Sequence, residues 1–224
     1  MTRRAGAVVL VALLGAGGSG TTRSPEPDLV HVRPNDNRIP AGELANGVLT
    51  VHLEVRRGVW HPEGPAGDSV TAAVFAEEGK APQVPGPLIR VPAGTVIEAT
   101  VRNRLPDSAV TVQGLATRPA TRDDGLRIPP GEARTVRFAA GDPGTYLYAA
   151  RVGAGDTTIE REQLAGALFI DSAGARADDR IFVINIWGEP SRADTTIYRN
   201  ALTINGLSWP HTERITATVG DTAR

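Results

Sequence analysis

The chain has 224 residues, with 24 Lys+Arg against 25 Asp+Glu and a formal net charge of -1. That balance excludes nucleic-acid binding through bulk positive charge, and 41% hydrophobic residues exclude an acidic disordered chain. Gly 25 and Pro 17 make about a fifth of the sequence against roughly 12% in an average protein, so short strands and turns are favoured over long helices. At the N-terminus, Arg3 and Arg4, an apolar run over residues 5–16, and Gly17, Gly18, Ser19 and Gly20 read as an export signal spanning residues 1–20. The run is about a dozen residues, short of the roughly 20 that a membrane-spanning helix needs. No cysteine follows it, which excludes a lipid-anchored form. The mature chain is expected to begin between residues 18 and 28, to lie in the periplasm or outside the cell, and to carry no membrane span. Gly17-Gly18-Ser19-Gly20 lacks the preceding strand and following lysine of a phosphate-binding loop.

Residues 21–44 read as an extended N-terminal arm. Beyond them, residues 48–55 alternate: Leu49, Val51, Leu53 and Val55 on one face, Thr50, His52 and Glu54 on the other, the period of a half-buried strand. Asn46-Gly47 just before is a turn signal. Further strands are predicted over 70–75, 88–91, 95–103, 109–113, 134–138, 145–152 and 166–171. Gly79, Pro85-Gly86-Pro87, Pro92-Ala93-Gly94, Leu105-Pro106-Asp107 and Pro129-Pro130-Gly131 reverse the chain between them. On one of these strands Ile97, Ala99 and Val101 should face the core, and Glu98, Thr100 and Arg102 solvent. The polar stretch 153–162 has room for one helical turn. The pattern predicts an all-β protein, an antiparallel Greek-key β-sandwich over 45–172.

Residues 173–179, small and polar, read as a linker. Beyond it, residues 180–224 hold three candidate strands, 181–187, 200–205 and 214–219. Three strands make a sheet but not two packed sheets, so this part reads as the truncated start of a second domain, mobile, self-associating or docked only loosely unless it leans on the first or on another chain.

Pro85-Gly86-Pro87-Leu88-Ile89-Arg90-Val91-Pro92-Ala93-Gly94-Thr95 and Val101-Arg102-Asn103-Arg104-Leu105-Pro106 resemble the opening signatures of the cupredoxin (plastocyanin-like) domain of multicopper oxidases. Ile128-Pro129-Pro130-Gly131-Glu132, leading to Arg137-Phe138, is similar to the next hairpin. Gly144-Thr145-Tyr146-Leu147-Tyr148 with Gln163-Leu164-Ala165-Gly166-Ala167-Leu168-Phe169-Ile170 resembles the closing strands. Past the linker, Leu202-Thr203-Ile204-Asn205-Gly206, Pro210-His211-Thr212 and Val219-Gly220-Asp221-Thr222 resemble the start of a second such domain. The resemblance implies a cupredoxin-like fold and, in intact relatives, copper-dependent oxidation.

The resemblance also implies where copper ligands would stand. In the family, His-x-His precedes the glycine matched by Gly114, and a second His-x-His follows the tyrosine-rich strand. These four histidines supply half of the trinuclear copper site, the other half coming from the last cupredoxin domain. The matching places here hold Thr111, Gln113, Ala149 and Arg151. A hydroxyl, an amide and a methyl do not replace imidazole nitrogen, and a guanidinium repels a cation. Type-1 copper needs a cysteine thiolate, and the chain has none. No disulfide, thiolate zinc site or thiol nucleophile is available either.

The other chemistry-bearing residues have ordinary readings. His31 and His61 fall in loops, His211 follows Pro210, and His52 shares a polar strand face with Glu54, two ligands at most. Asp123-Asp124 and Asp178-Asp179 sit in turns without a partner histidine, and Ser108, Ser191 and Ser208 lack a nucleophile elbow. The sequence therefore predicts no catalytic and no metal-binding residue in this chain and no cofactor of its own. Two functions stay open. One is a catalytically incomplete N-terminal cupredoxin module whose partners are the missing cupredoxin domain or domains or another chain. The other is a subunit or fragment of a copper-dependent oxidoreductase that acquires copper sites from another chain or domain. A free copper carrier fails on ligand count.

Overall fold

The computed structural model describes residues 29–119, 125–153, 161–174, 180–190, 194 and 198–220. The export signal, Asp123-Asp124, Asp178-Asp179, Ser191 and most of 153–162 lie outside them. Fifteen strands appear, and no helix among the described residues. In chain order they are β1 (Val30–His31), β2 (Arg33–Pro34), β3 (Glu43–Ala45), β4 (Val48–Trp60), β5 (Val70–Glu77), β6 (Gln83–Val84), β7 (Gly86–Pro92) and β8 (Val96–Asn103). Then come β9 (Val110–Gln113), β10 (Leu126–Ile128), β11 (Ala133–Ala139), β12 (Gly144–Val152), β13 (Ala165–Asp171), β14 (Ile184–Pro190) and β15 (Tyr198–Ile204).

One sheet runs β11-β8-β4-β5-β6-β2, with β1 and β3 also on β4; a second runs β10-β9-β12-β13-β7. Side chains from both form one core, including Val51, Phe75 and Ile97 from the first sheet and Ile89, Val112 and Leu168 from the second. The alternation expected on β8 is present: Ile97, Ala99 and Val101 are fully buried, while Glu98, Thr100 and Arg102 reach the surface. The sheets are mixed rather than purely antiparallel, since β4 runs parallel to β8 and β7 parallel to β13. The reason lies in the connection. A two-residue hairpin forces antiparallel neighbours, but the path from β4 to β8 passes through β5, β6 and β7, the last in the opposite sheet, and returns on the far side of β4.

The arm is not free-running. Residues 30–45 supply β1, β2 and β3, so His31 belongs to a strand rather than a loop. Glu54 also departs from the expected exposed face. It is 5% exposed, because Arg104 donates two hydrogen bonds to its Oε1, at 2.8 and 2.6 Å, and so allows a carboxylate to be buried.

The tail leans on the first domain. β14 and β15 pair into a two-stranded sheet that packs on the outside of the first sheet, where Trp187 and Ala201 join Val32, Trp60, Val70, Ala72, Val74 and Val84 in a second apolar cluster. Ile181 and Val183 pack with Leu88 and Ala167 on the outside of the second sheet. Three buried asparagines tie the seam. Asn205 Oδ1 accepts from Asn37 Nδ2 at 3.0 Å and from the Val183 amide at 2.9 Å, and Asn205 Nδ2 donates to Ile181 O at 3.1 Å. Asn35 in turn donates to Gly86 O at 3.0 Å and accepts from the Asn37 amide. Trp60 Nε1 donates to Gly206 O at 3.0 Å. The third expected strand, 214–219, does not form.

Candidate functional site

Ladder register decides whether the four positions singled out by the resemblance meet. β12 pairs with β9 so that Ala149 lies opposite Gln113 and Arg151 opposite Thr111. Residues two apart on a strand share a face, so all four stand on one patch of the second sheet. Their neighbours Val110, Val112 and Tyr148 point the other way and are buried. The patch faces outward, with Gln113 and Arg151 exposed and Thr111 and Ala149 half-buried.

The structure adds a residue that the motif comparison missed. β10 pairs with β9 on its other side and sets Arg127 opposite Thr111. Thr111 thus lies between two arginines, Arg127 and Arg151, in one cross-strand row. Leu126-Arg127-Ile128 alternates over only three residues, too short a run to be read as a strand from sequence. Arg118 closes one end of the patch, where its guanidinium donates to Gly114 O and Leu147 O, at 2.6 and 3.0 Å, and lies over the Tyr146 ring. A patch with no imidazole and several guanidiniums does not fit a copper ion, which needs neutral nitrogen or thiolate donors.

Beneath the patch, Tyr148 fixes the spacing of β12 and its neighbours. Its hydroxyl donates to Pro87 O at 2.6 Å, and its ring lies so close to Gly166 that a Cβ there would collide with it. Burial, and after it the charge of Glu77, pushes the phenol well above its usual 10. Tyr148 is therefore a neutral structural donor.

The remaining candidates do not assemble a site. His52 is exposed, 3.9 Å from Glu78, and on its own strand has only the Arg104-bound Glu54. His31 stacks on His61 with ring centroids 6.0 Å apart, His61 Nδ1 bonds to Gly67 O at 3.1 Å, and His211 lies over Gly64 of the same loop. Far apart in the chain, these histidines share no motif that links them. Among the described residues no three His, Asp or Glu side chains stand close enough to hold a metal ion. Ser108 donates to Asp107, and the Ser208 hydroxyl is buried away from any base. A cleft of about 670 Å³ opens between the arm and β15, but its charges pair internally, Arg38 with Glu213 and Lys80 with Glu77. No helix among the described residues is long and apolar enough to cross a membrane.

Comparison with known proteins agrees with this fold. Residues 69–174 match the family model described as multicopper oxidase. Over 78 residues the chain is 42% identical to the multicopper oxidase MmcO of Mycobacterium tuberculosis, covering 31% of this chain and 15% of that protein. Over 172 residues it is 28% identical to a "Probable nitrite reductase-hydroxylamine oxidoreductase fusion protein" of Kuenenia stuttgartiensis, covering 71% of this chain and 18% of that one. Among solved structures, the blue copper oxidase of Nitrosomonas europaea superposes with a TM-score of 0.54 at 23% identity, over 74% of this chain and 56% of that one. The chain spans less than a fifth of the curated relatives it matches. Sequence match and shared architecture agree: residues 69–174 are similar to the multicopper oxidase family model, and the fold is cupredoxin-like.

Proposed function

We propose that the chain is a catalytically incomplete cupredoxin module, the N-terminal part of a multicopper-oxidase-like exported protein, with no copper site of its own. The observation that carries this reading is that Thr111, Gln113, Ala149 and Arg151, the places where the resemblance puts copper-binding histidines, share one patch, with Arg127 beside Thr111. In this reading residues 45–172 are the module, 173–179 a linker and 180–224 part of a second cupredoxin-like domain. Copper chemistry, where it occurs, belongs to further cupredoxin domains. Residues 1–20 direct export, which N-terminal sequencing of the secreted protein tests.

The copper test is direct. The purified chain, loaded with copper and passed through mild chelation, should hold far less than one copper per chain by elemental analysis, show no blue absorption band and oxidise no phenol. The combined variant T111H/Q113H/A149H/R151H should gain copper binding yet reduce no oxygen, because it supplies half of a trinuclear ligand set. One tightly held copper in the unaltered chain overturns the proposal.

A second reading, a subunit that acquires copper sites from another chain or domain, draws on the outward position of the four residues, which leaves the patch open to a neighbour. It predicts copper uptake at this patch in a complex, lost when Gln113 or Thr111 is changed to alanine. The first reading predicts no such dependence.

A further inference from the structure

The chain contains two Asn-Gly steps, Asn46-Gly47 and Asn205-Gly206, with nearly the same backbone and opposite surroundings. Both asparagines lie in the left-handed region, with φ of 51° and 52°, and both glycines follow at positive φ, 75° and 87°. Asn46-Gly47 is the two-residue turn between β3 and β4, and positive φ at both places is the signature of the type I′ turn that Asn-Gly favours. The ladder closes at the pair Ala45 and Val48, so the turn amides lie outside it. Both turn residues are exposed, and a Cβ on Gly47 would meet nothing within 4 Å. The Asn46 side chain makes no hydrogen bond among the described residues. β3 has three residues, all exposed, so the turn ends a ladder that opens locally at little cost.

Asn205-Gly206 is buried in the seam between the tail and the first domain. Its amide is held on both sides: Nδ2 donates to Ile181 O at 3.1 Å, and Oδ1 accepts from Asn37 Nδ2 at 3.0 Å and from the Val183 amide at 2.9 Å. The backbone of Val84 presses on Gly206, whose carbonyl accepts from Trp60 Nε1 at 3.0 Å. The chemistry of an Asn-Gly step makes this difference matter. A backbone nitrogen attacks the side-chain carbonyl carbon of the preceding asparagine when the chain turns to bring the two together. Glycine, with no side chain, hinders that approach least. Burial and three hydrogen bonds prevent the movement at Asn205, whereas the exposed turn at Asn46 permits it.

We infer that Asn46 is a self-modification site, where the Gly47 nitrogen attacks Asn46 Cγ and the side chain loses its amide, while the buried Asn205 is protected from the same reaction. The bond from Gly47 N to Cγ forms, the bond from Cγ to Nδ2 breaks, and the Gly47 amide proton leaves with Nδ2 as ammonia. Water then opens the cyclic imide. Addition at Cγ restores the main chain and leaves aspartate. Addition at the backbone carbonyl carbon of residue 46 leaves isoaspartate, whose main chain runs through Cγ and is one carbon longer. Neither step is a redox step, and water is the co-reactant. The two products differ in effect. Aspartate adds a negative charge to an exposed turn and keeps the hairpin. Isoaspartate lengthens a two-residue turn, which breaks the match of Ala45 with Val48 and draws Gly47 O from the Val96 amide that it binds at 2.9 Å. The inference does not rest on the copper reading, and its test contains no copper.

The full chain is held at about pH 8 and about 37 °C for about two weeks and digested beside an unincubated sample. Trypsin releases Asn46 within residues 39–56 and Asn205 within 200–214. Mass spectrometry should find a growing fraction of the first peptide heavier by about one dalton, with fragmentation placing aspartate and isoaspartate at position 46, and the second peptide unchanged. The rate at Asn46 should lie within about tenfold of that in the isolated 39–56 peptide, and the rate at Asn205 about a hundredfold or more below that in the isolated 200–214 peptide. In hydrogen exchange, β3 amides should lose protection in the isoaspartate fraction and keep it in the N46D variant, which carries the aspartate product throughout. An Asn46 that stays intact in the folded chain while the isolated peptide reacts overturns the inference, as does an Asn205 that reacts as fast as Asn46. Full β3 protection in the isoaspartate fraction overturns the assigned effect on the hairpin.

Discussion

Replacing Asn205 tests whether the polar seam, rather than apolar contact alone, holds β14 and β15 against the first domain. Its side chain accepts from Asn37 Nδ2 and the Val183 amide and donates to Ile181 O, and Asn205 itself is 7% exposed. Alanine removes one side of all three bonds and leaves the Val183 amide buried without a partner, while Asn37 Nδ2 and Ile181 O keep their own bond at 3.3 Å. The orphaned amide costs about 1–3 kcal/mol and the two other lost bonds about 1 kcal/mol each, roughly 3–5 kcal/mol together. Asn205 also has a φ of 52°, in the left-handed region, where alanine costs about 1 kcal/mol more and glycine does not. N205A should therefore lower stability by several kcal/mol, and N205G by about 1 kcal/mol less than N205A. Urea denaturation measures both, and hydrogen exchange locates the loss. Amides of β14 and β15 should lose protection while those of β8 and β12 keep theirs. An N205A protein within about 0.5 kcal/mol of the unaltered chain, or exchange that rises equally in β8, refutes the reasoning.

Ile97→Ala should cost about 2–5 kcal/mol by leaving a cavity in a fully buried site, whereas Glu98→Ala, which breaks only the exposed 2.8 Å pair with Arg137, should cost less than about 1 kcal/mol; denaturation midpoints separate them. Tyr148 yields a pH prediction with a definite sign. Its folded-state pKa is raised above the unfolded value near 10, so the folded state keeps its proton longer and stability falls as pH climbs past about 10. Y148F should remove that alkaline loss while lowering stability near neutrality by about 1 kcal/mol for the bond to Pro87 O, as thermal melts at pH 8 and 10.5 will show.

The core strands were legible because their period reports which face is buried. β8 alternates without exception over Ile97, Ala99 and Val101, and so does the start of β4. β5 held a clue of a different kind. Val70 to Ala76 is apolar almost throughout, with Ala73 and Phe75 in the main core and Val70, Ala72 and Val74 in the cluster under Trp187. A strand without alternation is a strand covered on both sides, and the covering element was the tail. Short segments stayed hidden. β1, β2, β3, β6 and β10 have two or three residues each, too few to show any period. Arg127 was therefore invisible as a member of the patch, and the burial of Glu54 depended on Arg104, fifty positions away.

The parity of β9 and β12 shows how a cupredoxin-like domain could persist without copper-binding residues, as the proposed function has it. Val110, Val112 and Tyr148 point inward and are almost wholly buried, and they carry the packing that selects this fold. Thr111, Gln113, Ala149 and Arg151 point outward from the same strands, on the face away from that core. In the proposed reading, histidines exchanged at these places lie outside that core, and at the exposed Gln113 and Arg151 such changes stay within about 0.5 kcal/mol. Copper affinity has no such tolerance, because it needs several neutral donors at once and is opposed by each nearby positive charge. Arg127, one ladder spacing of about 4.8 Å from Thr111, adds such a charge beyond the four positions themselves. At an effective dielectric constant near 20, one positive charge about 8 Å from another costs about 2 kcal/mol. Fold and metal chemistry are thus written on opposite faces of the same two strands, and a change on one face leaves the other intact.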